Sequence, residues 1–233
     1  YADAGNALRE FAERTGVPVF TGSSGRGTLS DTHPLCFQSS LAIRPGASLA
    51  ALTSADLILF LGSRLSLFYL FGDIFRKDAK FIQADIEAEE IGRNRSVDLG
   101  IVGDVRALLS ELNRLIEEQQ IGEALRTTFQ NWVETLRKAD VDGKAPTQPL
   151  WSSDKVPIHP LRLAREIDAF MDREKDIVVA DGGDTQIWMG MTRTVQTAGR
   201  YFDSGLYGCL AVGIPFANAA KLRHPESRVL LVI

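Results

Sequence analysis

The sequence has no excess of positive charge, because 26 Lys and Arg stand against 30 Asp and Glu, for a formal net charge of −4 over 233 residues. Proteins that bind nucleic acid or anionic membranes usually present a basic surface. Long apolar runs are lacking too, and none approaches the roughly 18 residues that a bilayer-spanning helix needs. We therefore expect neither nucleic acid nor a membrane among the partners.

Cysteine and histidine are scarce. Cys36 and Cys209 lie far apart, which predicts reduced, buried thiols rather than a disulfide and is weakly typical of a cytoplasmic protein. His33, His159 and His224 occur singly, without an acid or a thiol at a recognisable spacing, so loop or helix-cap roles are predicted for them. No catalytic residue and no metal ligand is predicted in this chain.

An initiator methionine and a signal-peptide pattern are also missing from the first residues, YADAGNALRE. The last residues, SRVLLVI, form a predicted buried strand. Because parallel α/β sheets place their ligand loops directly after strands, this ending predicts that the chain is part of a longer protein.

Short apolar segments alternate with amphipathic ones, which predicts an α/β fold of parallel sheets flanked by helices. ADLILFLG predicts a fully buried strand, and 125–138 predicts a helix. Residues 140–157, DVDGKAPTQPLWSSDKVP, are rich in Pro, Gly and polar side chains, as interdomain linkers are. The prediction is two doubly wound parallel-sheet domains, both incomplete, at 1–139 and 158–233.

Two motifs of the first half follow predicted strands. In GSR, Gly62 allows close backbone approach and Arg64 could hold a phosphate; a glycine-capped strand with a solvated arginine explains the motif equally well. In ADIEAEEIGRN, Asp85 could accept a hydrogen bond from a ribose hydroxyl. The alternative is that Asp85 caps a helix whose dipole the glutamates favour, and this explains the glutamates better.

Two motifs of the second half combine glycines with a helix start. In ADGGDTQIW, a strand and two glycines precede Asp184 and Thr185, where backbone N–H groups could bind an anion and either side chain could cap the helix. SGLYGCLAVGIPFANAA predicts a helix with glycines at 205, 208 and 213. Close backbone packing in a core explains these glycines at least as well as the approach of a cofactor.

Taken in order, these segments resemble the thiamine diphosphate-dependent enzymes of the acetolactate synthase group, which includes benzaldehyde lyase, 2-hydroxyacyl-CoA lyase and oxalyl-CoA decarboxylase. Residues 1–118 resemble the central domain of that family through FAERTGVPVFTGSSGRGTLSDTHPL, ADLILFLGSRL and KFIQADIEAEEIGRNRSVDLGIVGD. Residues from 156 onward resemble the start of its diphosphate-binding domain through IHPLRLAREI, IVVADGGDTQIW and SGLYGCLAVGIPFANAAKL. The resemblance covers nearly the whole chain.

The resemblance implies two sets of binding residues. The cofactor set is expected to bind thiamine diphosphate at its diphosphate and its aminopyrimidine, and to include the apolar residue, often a methionine, that supports the bent cofactor. It consists of Gly183, Asp184, Thr185, Gly208, Cys209 and Leu210. The nucleotide set matches a site that holds FAD or ADP in some members of the family and nothing in others. It consists of Gly62, Ser63, Arg64, Asp85, Ile86, Gly103 and Asp104. The Mg²⁺ ligands and the activating glutamate are expected outside this chain, with a Gly-Asp-Gly turn after Ile233.

For the full-length protein, the resemblance implies carboligase, lyase or decarboxylase chemistry on 2-keto acids or 2-hydroxyacyl compounds, in a homodimer or homotetramer. Thiamine diphosphate would carry the chemistry as an electron sink, while the protein would orient it. The alternative is a non-catalytic module that binds ADP, FAD or CoA at the GSR and ADIE motifs. The third interpretation of the chain is a structural or assembly segment whose binding sites have lost their function.

Overall fold

The computed structural model describes residues 2–38 and 46–233. The chain divides into two compact units, the first made of Tyr1–Val19 and Ser40–Gly143 and the second of Phe20–Ser39 and Lys144–Ile233. Each unit contains a three-stranded parallel sheet with helices around it. The predicted α/β class, with two incomplete parallel-sheet domains, is therefore confirmed.

The helices and strands alternate along most of the chain. The helices are α1 (Gly5–Thr15), α2 (Ala47–Ser54), α3 (Val105–Glu118), α4 (Gly122–Lys144), α5 (Pro160–Phe170), α6 (Asp184–Thr192) and α7 (Gly213–Arg223). The strands are β1 (Val19–Thr21), β2 (Cys36–Gln38), β3 (Leu57–Leu61), β4 (Lys80–Asp85), β5 (Leu99–Val102), β6 (Ile177–Ala180), β7 (Tyr201–Phe202) and β8 (Val229–Val232). Among the described residues, no helix is both long enough and apolar enough to span a bilayer.

The sheet of the first unit has the strand order β3-β4-β5. Alternate side chains of a strand point to opposite faces, and on one face Ile58 and Phe60 pack with Tyr69, Phe75 and Phe81 in an aromatic core. The opposite face is less covered, as the 51% exposure of Leu57 illustrates. The prediction that β3 is fully buried is therefore wrong, because only one face of this strand packs in the core.

The helices of the first unit follow the sequence pattern closely. Asp104 begins α3 as its N-cap by accepting a hydrogen bond from the Ala107 N–H at 2.9 Å. The apolar face of α3 is buried at Leu109 and Ile116. The helix predicted at 125–138 is confirmed as α4, which is longer than predicted and ends at Lys144, inside the linker predicted at 140–157.

The sheet of the second unit has β6 at its centre, in the order β7-β6-β8. All four residues of β6 are completely buried. Val178 and Ala180 pack in one apolar cluster, and Ile177 and Val179 pack in another. A strand with both faces covered by apolar groups is the typical centre of a parallel sheet, and this prediction is confirmed.

Residues 20–39 join the second unit through a buried arginine. Arg26 Nη2 donates to Asp31 Oδ2 at 2.7 Å and to the Arg193 carbonyl at 2.5 Å, while Nη1 donates to the Gly190 carbonyl at 3.3 Å. The same Asp31 oxygen accepts from the Val195 N–H at 2.8 Å. A cation at the carbonyl end of a helix is favourable, so Arg26 stabilises the C-terminal end of α6.

The predicted division into domains at 1–139 and 158–233 stays a prediction. The residues that depart from it are 20–39 and 144–157, which belong to the second unit, and 140–143, which belong to the first. The three histidines occupy turn and cap positions, as expected. His159 is the N-cap of α5, His33 accepts from the Leu35 N–H, and His224 follows the end of α7.

Candidate functional site

The turn after β6 leaves the start of α6 open. Gly183 has φ +81° and ψ −148°, a conformation that favours glycine. The N-cap is Gly183 itself, which has no side chain to accept a hydrogen bond from the N–H groups of the first turn. Because uncapped N–H groups and the helix dipole attract anions, the turn offers an anion site at Asp184 and Thr185.

The segment that carries Gly208, Cys209 and Leu210 lies against this turn. A Cβ atom on Gly182 would be 2.8 Å from the Cys209 carbonyl oxygen and 2.8 Å from Leu210 Cδ2. On Gly183 the nearest atom would be Leu210 Cδ2, at 3.7 Å. The structure therefore brings the two halves of the predicted cofactor set together, and Gly182 allows their close approach.

A single carboxylate links the two segments. Asp181 Oδ1 accepts from the Gly182 N–H at 2.7 Å, and Oδ2 accepts from the Ala211 N–H at 3.1 Å. The residue is only 7% exposed, so these hydrogen bonds are shielded from water. The sequence placed Asp181 at the strand end but gave no sign of its contact with Ala211, 30 positions later.

Four further side chains fix the loop that precedes Gly208. Ser204 Oγ donates to Gln186 Oε1 on α6 at 2.7 Å. Asp203 Oδ1 accepts from Ser23 Oγ at 2.5 Å and from the Gly205 N–H at 2.9 Å. These residues were missed by sequence reasoning, because a pair 180 positions apart leaves no local signal.

The loop carries exposed apolar groups. Leu210 is 69% exposed, Tyr207 is 81% exposed, and Cys209 is exposed as well. The predicted helix begins only at Gly213, after a 3₁₀ turn at Gly205–Tyr207. Leu210 therefore lies where it can contact a ligand bound at the turn.

Both cysteines are free, as predicted, but only Cys36 is buried. The prediction of two buried thiols is wrong for Cys209, because its loop lies on the surface beside α6. Burial raises the pKa of the Cys36 thiol to about 12, and the Asp31 carboxylate contributes to this rise. The Cys36 thiol also donates to the Leu29 carbonyl at 3.6 Å.

We expect iodoacetamide at pH 8 to modify Cys209 in preference to Cys36. Thiols react as thiolates, and a pKa of about 12 leaves about one Cys36 in 10,000 ionised at that pH. Peptide mass spectrometry would measure the labelled fraction of each residue over time. Equal rates at the two positions in the folded protein would contradict this expectation, and labelling in denaturant provides the control.

The nucleotide set of the first unit lies at one edge of its sheet. The carboxyl ends of β3, β4 and β5 lead to Gly62, Asp85 and Gly103. The Gly62 N–H donates to the Ala84 carbonyl at 2.8 Å, and the Gly103 N–H donates to the Asp85 carbonyl at 2.9 Å. This is the edge at which parallel sheets bind ligands, so the structure brings the three strand ends together.

Local interactions occupy several side chains at this edge. Asp85 Oδ1 accepts from the Glu87 N–H at 3.0 Å, and Asp104 caps α3. Arg64 Nε lies 3.2 Å from Glu90 Oε1. The interpretation of Asp85 as a helix cap is wrong, because the 3₁₀ turn that follows is Ala88–Glu90 and its N-cap is Glu87. Ile86, at 66% exposure, and the half-buried Ser63 leave a surface for contact.

Two family models match the chain. One, described as "Thiamine pyrophosphate enzyme, central domain", matches residues 1–112. The other, described as "Thiamine pyrophosphate enzyme, C-terminal TPP binding domain", matches residues 181–233. Both segments of the site described above, 181–185 and 205–213, lie within the second match.

Curated relatives match almost the whole chain at low identity. A probable acetolactate synthase large subunit of Methanococcus aeolicus is 30% identical, with 98% of the chain and 39% of the relative covered. A 2-hydroxyacyl-CoA lyase of Oryza sativa subsp. japonica is 30% identical, covering 100% of the chain and 39% of the relative. An acetolactate synthase of Mycobacterium leprae is 32% identical, with 97% and 36% covered. The chain thus spans about two fifths of the length of these relatives.

Proposed function

We propose, from the premise that this chain belongs to the thiamine pyrophosphate enzymes, that the full-length protein is a thiamine diphosphate-dependent carboligase, lyase or decarboxylase. Its substrates in this proposal are 2-keto acids or 2-hydroxyacyl compounds. The names of the relatives, acetolactate synthase and 2-hydroxyacyl-CoA lyase, favour these two classes. Nothing in the comparisons favours the non-catalytic alternative.

One observation carries the proposal: the uncapped start of α6 lies beside the loop of Cys209 and Leu210. A diphosphate needs N–H donors, and the helix start has them. An aromatic ring system needs an open apolar surface, and exposed Leu210 provides one. Cβ atoms on Gly205 and Gly208 would meet nothing within 4 Å, so the loop itself leaves space for a ligand.

The charge at the helix start requires a cation. Asp184, in the first turn of α6, is exposed and has the same sign of charge as a diphosphate. Among the described residues, no group of three His, Cys, Asp or Glu could hold a metal ion. Because Asp184 would otherwise repel the diphosphate, we infer that Mg²⁺ accompanies the cofactor.

When bound, thiamine diphosphate supplies a nucleophilic carbon and an electron sink for bonds next to a carbonyl. In this proposal the chain binds and orients it. The N–H groups of α6 hold the diphosphate, Leu210 supports the ring system, and Asp181 keeps the two segments at a fixed distance. Fixed geometry of this kind lowers the entropic cost of a reaction.

Calorimetric titration of the full-length protein with thiamine diphosphate and Mg²⁺ tests the proposal. We expect saturable heat that weakens strongly when Mg²⁺ is omitted, because Asp184 would then repel the diphosphate. Thiamine without its phosphates serves as the control and should bind more weakly. An absence of heat and of any thermal shift at saturating cofactor and metal would contradict the proposal.

The edge of the first sheet is a proposed site for the ADP portion of a nucleotide or of FAD. The convergence of Gly62, Asp85 and Gly103 at the carboxyl ends of three parallel strands supports it. The same calorimetric experiment, with ADP and no metal, tests this part, and an absence of heat would contradict it. A cytoplasmic homodimer or homotetramer belongs to the proposal as well.

A further inference from the structure

A second candidate site of the second unit lies at the opposite end of α6 from Asp184. It is a cleft of about 400 Å³, lined by side chains of α5 and of the segment after it, of the end of α6 and the segment after it, of the turn Gln148–Ser152 and of the last residue of α4. This volume is at the lower end of the range for small-molecule sites. The residues that carry the argument are Lys144, Trp151, Arg165, Asp168, Arg173 and Thr194.

The cleft has an excess of positive charge. Lys144, Arg165 and Arg173 line it, and Asp168 is the carboxylate among its lining residues. Both oxygens of Asp168 are already engaged: Oδ2 accepts from Arg173 Nη2 at 2.7 Å, and Oδ1 accepts from buried Arg193 Nη1 at 3.2 Å. The charge of Asp168 is thus balanced within the protein and does not oppose an anion in the cleft.

Two guanidinium groups present donors to the cleft. Arg165 Nη1 donates to the Trp151 carbonyl at 3.1 Å, and Arg173 uses Nη2 for Asp168. Each guanidinium has five N–H groups in a planar fork, so both keep donors after these bonds. Arg165 is exposed and the Arg173 side chain is 46% exposed, which leaves their remaining N–H groups accessible to a ligand.

The indole of Trp151 gives the cleft an apolar part. This residue is half-buried and lines the cleft together with Arg165 of α5 and with Arg173, which follows α5. An arginine fork suits phosphate and carboxylate oxygens, while an indole packs well against another ring. We propose that the cleft binds a small organic anion, a phosphomonoester or a carboxylate, whose ring or other apolar part packs on Trp151.

Titration of the full-length protein with phenyl phosphate and with benzoate, at constant ionic strength and with saturating thiamine diphosphate and Mg²⁺, tests the inference. Phenyl phosphate should bind at one site and more tightly than inorganic phosphate, because only the former has a ring to pack on the indole. The two organic probes distinguish a phosphate ligand from a carboxylate ligand. Heat is measured by calorimetry, so the readout is independent of the activity of the enzyme.

Arg165→Gln should weaken the binding of the preferred probe at least about tenfold, since it removes hydrogen bonds between charged groups. Arg9→Gln, an exposed arginine on α1, is the matched control and should change the affinity less than twofold. Arg173→Lys, which keeps the charge near Asp168, should weaken binding by a smaller factor. Binding that is equal in Arg165→Gln and the unaltered protein, or an absence of binding by both organic probes, overturns the inference.

Discussion

Gly182→Ala should lower the affinity of the full-length protein for thiamine diphosphate about ten- to a hundredfold. The added Cβ atom would lie 2.8 Å from the Cys209 carbonyl oxygen, and a backbone oxygen cannot rotate away as a side chain can. The loop that carries Leu210 would have to move, at a cost of about 1–3 kcal/mol. Every 1.4 kcal/mol changes an equilibrium constant tenfold.

The matched control for this substitution is Gly25→Ala in the same unit. A Cβ atom on Gly25 would meet nothing within 4 Å, and the residue has no positive φ. This variant should therefore bind the cofactor as the unaltered protein does. Calorimetry gives the affinities, and amide exchange of residues 205–211 reports the displacement of the loop. Unchanged affinity together with unchanged exchange in Gly182→Ala would contradict the role assigned to this glycine.

The sequence was sufficient to predict the structure where the residues that determine it are close together in the chain. Residues 177–180 are apolar on both faces and are followed by an aspartate and two glycines, which predicted the buried strand β6 and the turn before α6. Pro160 after His159 predicted the start of α5 in the same way. In both places the residues that determine the structure are neighbours in the chain, so their spacing contains the information.

The sequence was insufficient to predict the structure where residues that are distant in the chain determine it. Arg26 packs against carbonyls about 165 positions away, and nothing near it indicates that residues 20–39 leave the first unit. The exposure of Leu57 depends on which elements cover each face of β3. The approach of Cys209 to Gly182 also joins residues that are distant in the sequence. The order of the motifs, through the resemblance, suggested that these two segments meet. That they bind a cofactor stays a prediction.

The most destabilising substitution we expect in the second unit is Arg193→Met. The arginine is completely buried, and its desolvation lowers the pKa of the guanidinium, which the Asp168 carboxylate opposes. Its Nη1 donates to Asp168 and to the Met171 carbonyl at 3.3 Å, and its Nη2 donates to the Asp172 carbonyl at 2.9 Å. Methionine fills much of the space but leaves these acceptors without their donor.

Removing one partner of a buried ion pair costs about 3–5 kcal/mol, and we expect Arg193→Met to lose stability in this range. Amide exchange of β6 would measure the loss, since Arg193 secures the turn that leads into Ile177. Arg162→Met, on the surface of α5 with its partners Asp154 and Glu166, is the matched control and should leave the exchange unchanged, because exposed ion pairs contribute little.

Asp168→Asn combined with Arg193→Met provides a sharper test of the charge itself. The double variant should recover part of the lost protection, because a neutral amide is cheaper to bury than a carboxylate that has lost a cation. Arg173, which is 46% exposed in its side chain, cannot replace the buried guanidinium on the Met171 and Asp172 carbonyls, so the recovery should be incomplete. Wild-type exchange of β6 in Arg193→Met alone would show that the stability of the second unit does not depend on this buried cation.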